Sequence, residues 1–132
     1  MPPPDAPRGS PADWLRHARS DLVLARSSPT DEEVLLETLC FHAQQAAEKA
    51  IKAVLVFCGL GFPRTHSIGA LLHLLPDAVP RDTVLEEAAS LTDYAVTSRY
   101  PGEAEDVTKQ ELSEAVTIAD RVVAWASRIV AG

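Results

Sequence analysis

The stretch TDEEVLLETLCFHAQQAAEKAIKAVLVFCG, residues 30–59, decides the fold. Placed on a helix of about 100° per residue, its apolar side chains fall on one broad arc. These are Leu39, Cys40, Ala43, Ala46, Ala47, Ala50, Ile51, Val54, Leu55 and Cys58. The opposite arc carries Gln44, Gln45, Glu48, Lys49 and Lys52, with His42 at the border. The spacing predicts a long amphipathic helix that a capping box of Thr30 with Glu33 begins and Gly59 ends.

Four further helices are predicted around this one. Their expected ranges are about 11–26, 66–75, 83–98 and 108–130. Their start signals are Ser10 with Pro11, Thr65, Thr83 with Glu86, and Thr108 with Glu111. No segment alternates with a period of two between turn signals, so no strand is predicted. The expected fold class is all-α, an up-and-down antiparallel bundle of four main helices plus one short helix.

The length, the hydropathy pattern and the net charge of the sequence predict one soluble domain. The 132 residues fit a single helical domain over 10–132 after a proline-rich flexible leader over 1–9. No apolar run reaches the roughly 18 residues of a membrane span, and the leader has no apolar signal core, so a cytoplasmic location is expected. The net charge of −7 argues against broad adhesion to nucleic acid or anionic lipid.

Several enzyme classes lack their motifs in this sequence. It contains no Gly-x4-Gly-Lys phosphate loop, no dinucleotide fingerprint, no His-Glu-x-x-His and no Cys-x-x-Cys. The four histidines are not spaced as a ligand set. We therefore predict neither a cofactor nor a metal site.

One stripe of the long helix has two interpretations. It carries Phe41, His42, Gln45, Lys49, Lys52 and Val56. The simpler interpretation is a solvated helix face. The alternative is an interface or groove wall, because apolar side chains set among polar ones suit burial against a partner. A second copy of the chain is the simplest such partner.

A second grouping surrounds Arg99 near the end of the fourth predicted helix. With Tyr94 and Tyr100 beside it, the planar guanidinium could hold an anion or stack on a base. It could equally bond the last carbonyls of the helix or pair with a neighbouring glutamate. Arg64 and His66 form a similar short cationic spot at the start of the third helix.

Together these motifs resemble the HEPN domain family. The residues that carry the resemblance are CFHAQQAAEKAIKA at 40–53, FPRTHSI at 62–68, Tyr94, and SRYPG at 98–102. The resemblance covers about 14–129. It implies a helical bundle, commonly a homodimer, often encoded beside a minimal nucleotidyltransferase and in some cases forming a toxin–antitoxin pair.

Many members of that family are metal-independent ribonucleases. They use an arginine followed about four to six residues later by a histidine, in which the arginine stabilises developing charge and the histidine handles protons. Arg99 matches the arginine, but no histidine follows it at that spacing. A nuclease would have to recruit His66 or His42. The resemblance therefore leaves catalytic activity doubtful.

The leading hypothesis is a homodimeric module that binds a nucleotide-like ligand, a minimal nucleotidyltransferase partner, or both. In it Arg99, Tyr100, Tyr94, Arg64 and His66 contact the ligand, and the stripe on the long helix supplies the wall. The first alternative is a metal-independent ribonuclease toxin that combines Arg99 with a histidine from outside the motif and takes RNA as its substrate. The second alternative is a purely structural dimer.

Overall fold

A computed structural model describes residues 9–27, 32–96 and 106–132. Its elements are α1 (Pro11–Arg26), α2 (Leu36–Phe57), α3 (Ile68–Leu72), α4 (Val84–Ala88), a 3-10 turn (Ala89–Thr92), α5 (Asp93–Val96) and α6 (Lys109–Ala131). The predicted all-α class is confirmed. None of the described helices is long and apolar enough to cross a membrane.

Helix α1 begins where the sequence predicts. The hydroxyl of Ser10 accepts a hydrogen bond from the Asp13 amide at 3.2 Å, and Pro11 occupies the first turn, where its missing N–H costs nothing. The buried side chains lie at helical spacing on one face; they are Leu15, Ala18, Leu22 and Ala25. This face packs against α2.

Helix α2 is the centre of the bundle, with α1 and α6 on its flanks and the short helices against its remaining side. Its many alanines are fully buried and let the neighbouring helices approach closely. Two pairs of contacts show the relative directions of the long helices. Between α1 and α2, Trp14 contacts Lys52 and Asp21 contacts His42. Between α1 and α6, Arg19 bonds Ser127 and Arg26 bonds Asp120. Helix α1 therefore runs antiparallel to both α2 and α6.

The predicted start of α2 at Thr30 is wrong. The helix begins at Leu36, and its N-cap residue, Leu35, makes no side-chain capping bond. Thr30 lies outside the described residues, and Glu33 lies in a turn ahead of the helix. Val34 and Leu35, which precede the helix, are both exposed, so an additional turn there would have no helix of the described chain to pack against. Because helices in proteins are stabilised mainly by packing, this end stays non-helical.

Helix α3 is shorter than predicted, and a different residue caps it. It spans five residues, and the Ser67 hydroxyl accepts from the Ala70 amide at 3.2 Å. Thr65, the predicted cap, instead accepts from the Ser67 amide at 3.0 Å. The two hydroxyls accept from different amides, and Ser67, the residue directly before Ile68, is the one that caps the helix.

The fourth predicted helix is interrupted. Thr83 makes no side-chain cap; the carboxylate of Asp82 accepts from the Val84 amide at 2.9 Å instead, so the predicted capping box there is wrong. A 3-10 turn then separates α4 from α5. Such a turn redirects the chain without ending its hydrogen bonding, and it lets this segment follow the side of α2.

Helix α6 confirms its predicted start and extends to Ala131. The Thr108 hydroxyl accepts from the Glu111 amide at 3.0 Å, and the Glu111 carboxylate accepts from the Thr108 amide at 3.1 Å. Trp125 on this helix is buried. Its indole N–H donates to the carbonyl of Pro80 at 2.7 Å, which satisfies the polar end of the ring.

Candidate functional site

A buried polar network occupies the side of α2 that the sequence assigned to solvent. Glu48 is its centre: its Oε1 accepts from Gln44 Nε2 at 3.0 Å and lies 3.0 Å from His66 Nδ1, while its Oε2 accepts from Lys52 Nζ at 2.9 Å. Gln45 donates to the side-chain oxygen of Gln44 at 2.7 Å. The prediction that Gln44, Glu48 and Lys52 lie on the outer face is therefore wrong.

The protonation of Glu48 is set by two opposed effects. Burial raises the pKa of its carboxyl, because the charged form loses its hydration. Hydrogen bonds from Gln44, Lys52 and His66 favour the carboxylate and outweigh burial, so the pKa is lower than its ordinary value. Glu48 is therefore an anion at neutral pH, although its side chain is only 3% exposed.

The ammonium group of Lys52 is enclosed by the same network and by two aromatic rings. It lies 5.4 Å from the centroid of Trp14 and 5.2 Å from that of Phe62, and these rings meet edge to face at 5.7 Å. Both the Glu48 carboxylate and the ring faces attract the positive charge. Lys52 thus anchors the interior, and the prediction that it lines a groove wall is wrong.

His66 is the part of the network that reaches solvent. Its side chain is 56% exposed, yet its Nδ1 is held by Glu48, and its backbone carbonyl accepts from Gln44 Nε2 at 3.2 Å. The bond to a carboxylate favours a proton on Nδ1 and leaves Nε2 as the nitrogen that can meet a ligand or exchange a proton. Arg64, two residues earlier, is exposed on the same loop.

Asp21 is the centre of a second charged cluster, which joins α1 to α2. Its two carboxylate oxygens lie 3.0 Å from His42 Nδ1 and 2.7 Å from Lys49 Nζ. His42 also meets the ring of Phe41 edge to face at 5.5 Å. All three members of the ionic cluster are partly buried, so the predicted stripe is only partly open. Phe41 itself is exposed, whereas Gln45 and Val56 are half-buried.

The segment that leads to Arg99 packs beside the His66 loop. The Thr92 hydroxyl accepts from the Ile68 amide at 3.0 Å, which ties the start of α3 to the residue before α5. Tyr94 on α5 is half-buried, and its hydroxyl donates to Glu111 at 3.3 Å. Arg99 and Tyr100 lie outside the described residues. Their predicted ligand contacts stay predictions, as do those of Tyr94, Arg64 and His66.

The sequence interpretation missed Gln44 and Glu48 as the core of the site. Their spacing contained a usable signal: Gln44, Glu48 and Lys52 recur every four residues, so their side chains stack on one face and can bond along it. The alanines on either side of them are compatible with either a buried or an exposed helix face, so they do not distinguish the two. Helical periodicity alone could not reveal that Trp14 of α1 and the loop that carries Phe62 and His66 cover this face.

Comparison with known proteins identifies the family. The model of the HEPN domain matches residues 11–129, nearly the whole chain. The chain belongs to the HEPN domain family. The resemblance predicted from the motifs is thereby confirmed.

Two solved structures share this HEPN fold. The crystal structure of TT1696 from Thermus thermophilus superposes with a TM-score of 0.77 at 32% identity, covering 92% of this chain and 98% of that one. The crystal structure of ST0689, an archaeal HEPN homologue, superposes with a TM-score of 0.69 at 31% identity and the same coverage. The bundle seen here is therefore the architecture of solved HEPN proteins.

A curated relative carries a functional name. The protein named "Putative toxin MJ1304" from Methanocaldococcus jannaschii is 28% identical over 130 residues, which cover 83% of this chain and 81% of the relative. The similarity thus extends along most of both chains.

Proposed function

We propose that this HEPN protein is the toxin-like member of a two-protein system: a homodimer that binds a nucleotide-like ligand and a minimal nucleotidyltransferase partner. The observation that carries the proposal is His66, an exposed imidazole fixed by a buried carboxylate. A side chain that must only be soluble needs no such anchor. One that must meet a ligand in a fixed orientation gains from it.

The ligand class follows from the charges around the loop. Arg64 and His66 are both exposed on it. The Arg64 guanidinium donates hydrogen bonds to phosphate oxygens, and His66 Nε2 donates one when the imidazole carries both protons. The negative charge of Glu48 is already compensated by Lys52 and Gln44 in the interior. An incoming phosphate therefore meets the donors of the loop and not an uncompensated carboxylate. Arg99 follows the end of α5 by three residues and is the proposed third donor.

The proposed dimer uses the open part of the α2 stripe. Phe41 is 37% exposed there, and it lies beside the half-buried His42 and Gln45. A large aromatic ring among polar neighbours is the composition found near the centre of protein interfaces. The toxin-like role rests on HEPN membership together with the name of the archaeal relative.

Ligand binding can be tested by calorimetric titration with adenosine nucleotides. Wild-type protein should bind, and His66→Gln should weaken binding by about tenfold or more, because it removes the imidazole that meets the phosphate. His73→Gln is the matched control, since His73 is also exposed and lies just after α3. Equal affinity of the two variants would refute the role of His66. Absence of heat and of any bound partner protein would favour a purely structural dimer.

A second candidate, metal-independent ribonuclease activity, is favoured by the Glu48–His66 pair. A carboxylate that holds Nδ1 keeps the imidazole in the tautomer whose Nε2 can accept a proton. In such a reaction Nε2 would take the proton of the ribose 2′-hydroxyl as its oxygen attacks phosphorus. The bond from phosphorus to the 5′-oxygen of the next nucleotide would break, and that oxygen would leave with a proton from water. The products would be a 2′,3′-cyclic phosphate and a 5′-hydroxyl end. Arg99 would stabilise the charge that develops on the phosphate oxygens.

The two candidate functions separate in one assay. Single-stranded RNA is incubated with purified protein in EDTA, and cleavage products are followed on gels. Cleavage that Arg99→Ala and His66→Gln both abolish, and that His73→Gln leaves intact, would establish the ribonuclease and displace the binding module. Intact RNA, together with nucleotide binding, would leave the module as the function.

A further inference from the structure

A second groove, separate from the His66 loop, lies where the chain before α4 meets the end of α6. It has a volume of about 450 Å³, which falls within the range of small-molecule sites. Pro80, Arg81 and Asp82 line it from one side, and Trp125, Arg128, Ile129 and Gly132 line it from the other. These lining residues are all distinct from those of the Glu48 network.

The side chains that line the groove are net cationic on a chain whose net charge is −7. Two arginines, Arg81 and Arg128, line it together with one acidic side chain, that of Asp82. Asp82 also has partners outside the groove, because its Oδ1 accepts from Arg121 at 3.0 Å and from the Val84 amide at 2.9 Å. The side chains of the groove therefore keep an excess of positive charge.

The two lining arginines keep donors for a ligand. Arg128 is 65% exposed, and its guanidinium lies 3.8 Å from Asp82 Oδ2, too far for a strong hydrogen bond. Arg81 uses one nitrogen, Nη2, to donate to the carbonyl of Leu75 at 3.2 Å, which holds the side chain in place. Since a guanidinium carries five N–H donors, most of those on both residues remain for another acceptor.

The wall of the groove is rigid and apolar. Trp125 is buried, and its N–H is already bonded to Pro80, so the indole offers hydrocarbon and not a donor. Ile129 and Pro80 extend this surface. Two guanidinium groups from different elements suit a tetrahedral anion, whose oxygens point in several directions, better than a flat carboxylate, which one guanidinium can satisfy.

We propose that this groove binds a small phosphate-bearing molecule, with Arg81 and Arg128 on the phosphate and Trp125 beside its apolar part. The site stands apart from the proposed function and does not require it. Inorganic phosphate and a phosphate ester share the recognised chemistry, and the experiment distinguishes them.

The two tryptophans of the chain make the test specific, because one borders this groove and the other packs on Lys52 in the Glu48 network. In 15N-labelled full-length protein, the indole N–H signal of each is followed while adenosine 5′-monophosphate is added. We expect the Trp125 signal to shift with a saturable dependence. Adenosine should not shift it, and inorganic phosphate should act more weakly than the ester.

Variants then assign the contacts. Arg128→Gln and Arg81→Gln should each raise the dissociation constant measured from Trp125 by about tenfold or more, as expected for a lost charge-assisted bond. Arg19→Gln is the matched control, because Arg19 is an exposed arginine that bonds the neighbouring Ser127 but does not line the groove. It should leave the titration unchanged.

Four results would overturn the proposal. They are a Trp125 signal that does not move, a shift that adenosine reproduces, equal affinity of Arg128→Gln and wild type, and loss of the Trp125 shift in His66→Gln. The last result would place binding at the His66 loop. Conversely, equal affinity of His66→Gln and His73→Gln in calorimetry, with the Trp125 shift retained in both variants, would refute the proposed function and leave the groove established.

Discussion

Lys52 Nζ lies 2.9 Å from Glu48 Oε2 inside the bundle, where the two side chains are only 11% and 3% exposed. Four residues apart on α2, they would form an ordinary surface pair if α2 faced water. Burial changes what the pair does, because neither charge can recover its hydration when the other is removed. The pair therefore holds α2, Trp14 and the His66 loop in one arrangement.

Breaking this pair should cost stability. Lys52→Met leaves the Glu48 carboxylate buried, with Gln44 and His66 as its remaining partners among the described residues. We expect the free energy of unfolding to fall by about 3–5 kcal/mol. Urea denaturation measures it. Replacing both residues, Lys52→Met with Glu48→Leu, should recover much of the loss, because no charge of the pair then remains buried. A double variant as unstable as the single one would contradict this account.

The free energy of unfolding should depend on pH through the protonation of Glu48. Its folded pKa is lowered from 4.5, so the folded state binds fewer protons than the unfolded state near that pH. The carboxylate therefore contributes stability above the unfolded pKa, and this contribution is lost as the pH falls through the folded pKa. The stability gap between wild type and Glu48→Gln should narrow below about pH 4.5. A gap that stays constant from neutral pH to acid unfolding would refute the assignment.

Two threonines with the same sequence signal should respond differently to substitution. Thr108 caps α6 through a reciprocal pair of bonds with Glu111, so Thr108→Ala should lower the free energy of unfolding by about 1 kcal/mol. Thr83 makes no capping bond, so Thr83→Ala should change it by less than about 0.5 kcal/mol. Thermal unfolding of both variants checks this. Equal losses would mean that α4 is capped by Thr83 after all.

The proposed dimer should depend on Phe41. Phe41→Ser removes the aromatic ring from the open stripe of α2, and light scattering at micromolar concentration should then report a mass near 14.2 kDa, that of one chain. Phe57→Ser is the control, since Phe57 is also exposed but lies at the end of α2 outside the stripe. It should leave the dimer intact. A wild-type monomer would refute the dimer outright.

The sequence by itself determined the elements whose signals are local. The cap of Ser10 on α1 and the capping box of Thr108 on α6 join atoms only three residues apart, so the sequence carries their signal locally. The same spacing at Thr83 and Glu86 makes no cap, so the local signal alone does not guarantee the bond. The family motifs likewise predicted the HEPN bundle, which the match over 11–129 confirms.

Only the tertiary structure decided that part of the polar arc of α2 is buried as well as the apolar arc. An amphipathic pattern fixes the relative positions of apolar and polar side chains, but not how many neighbours a central helix has. Here Trp14 of α1 and the loop that carries Phe62 and His66 enclose Glu48 and Lys52, so the two charges satisfy each other inside the protein, and His66 carries their network to the surface. Bonds between residues distant along the chain, such as Ile68 with Thr92, have no local signal and exist only once the helices have packed.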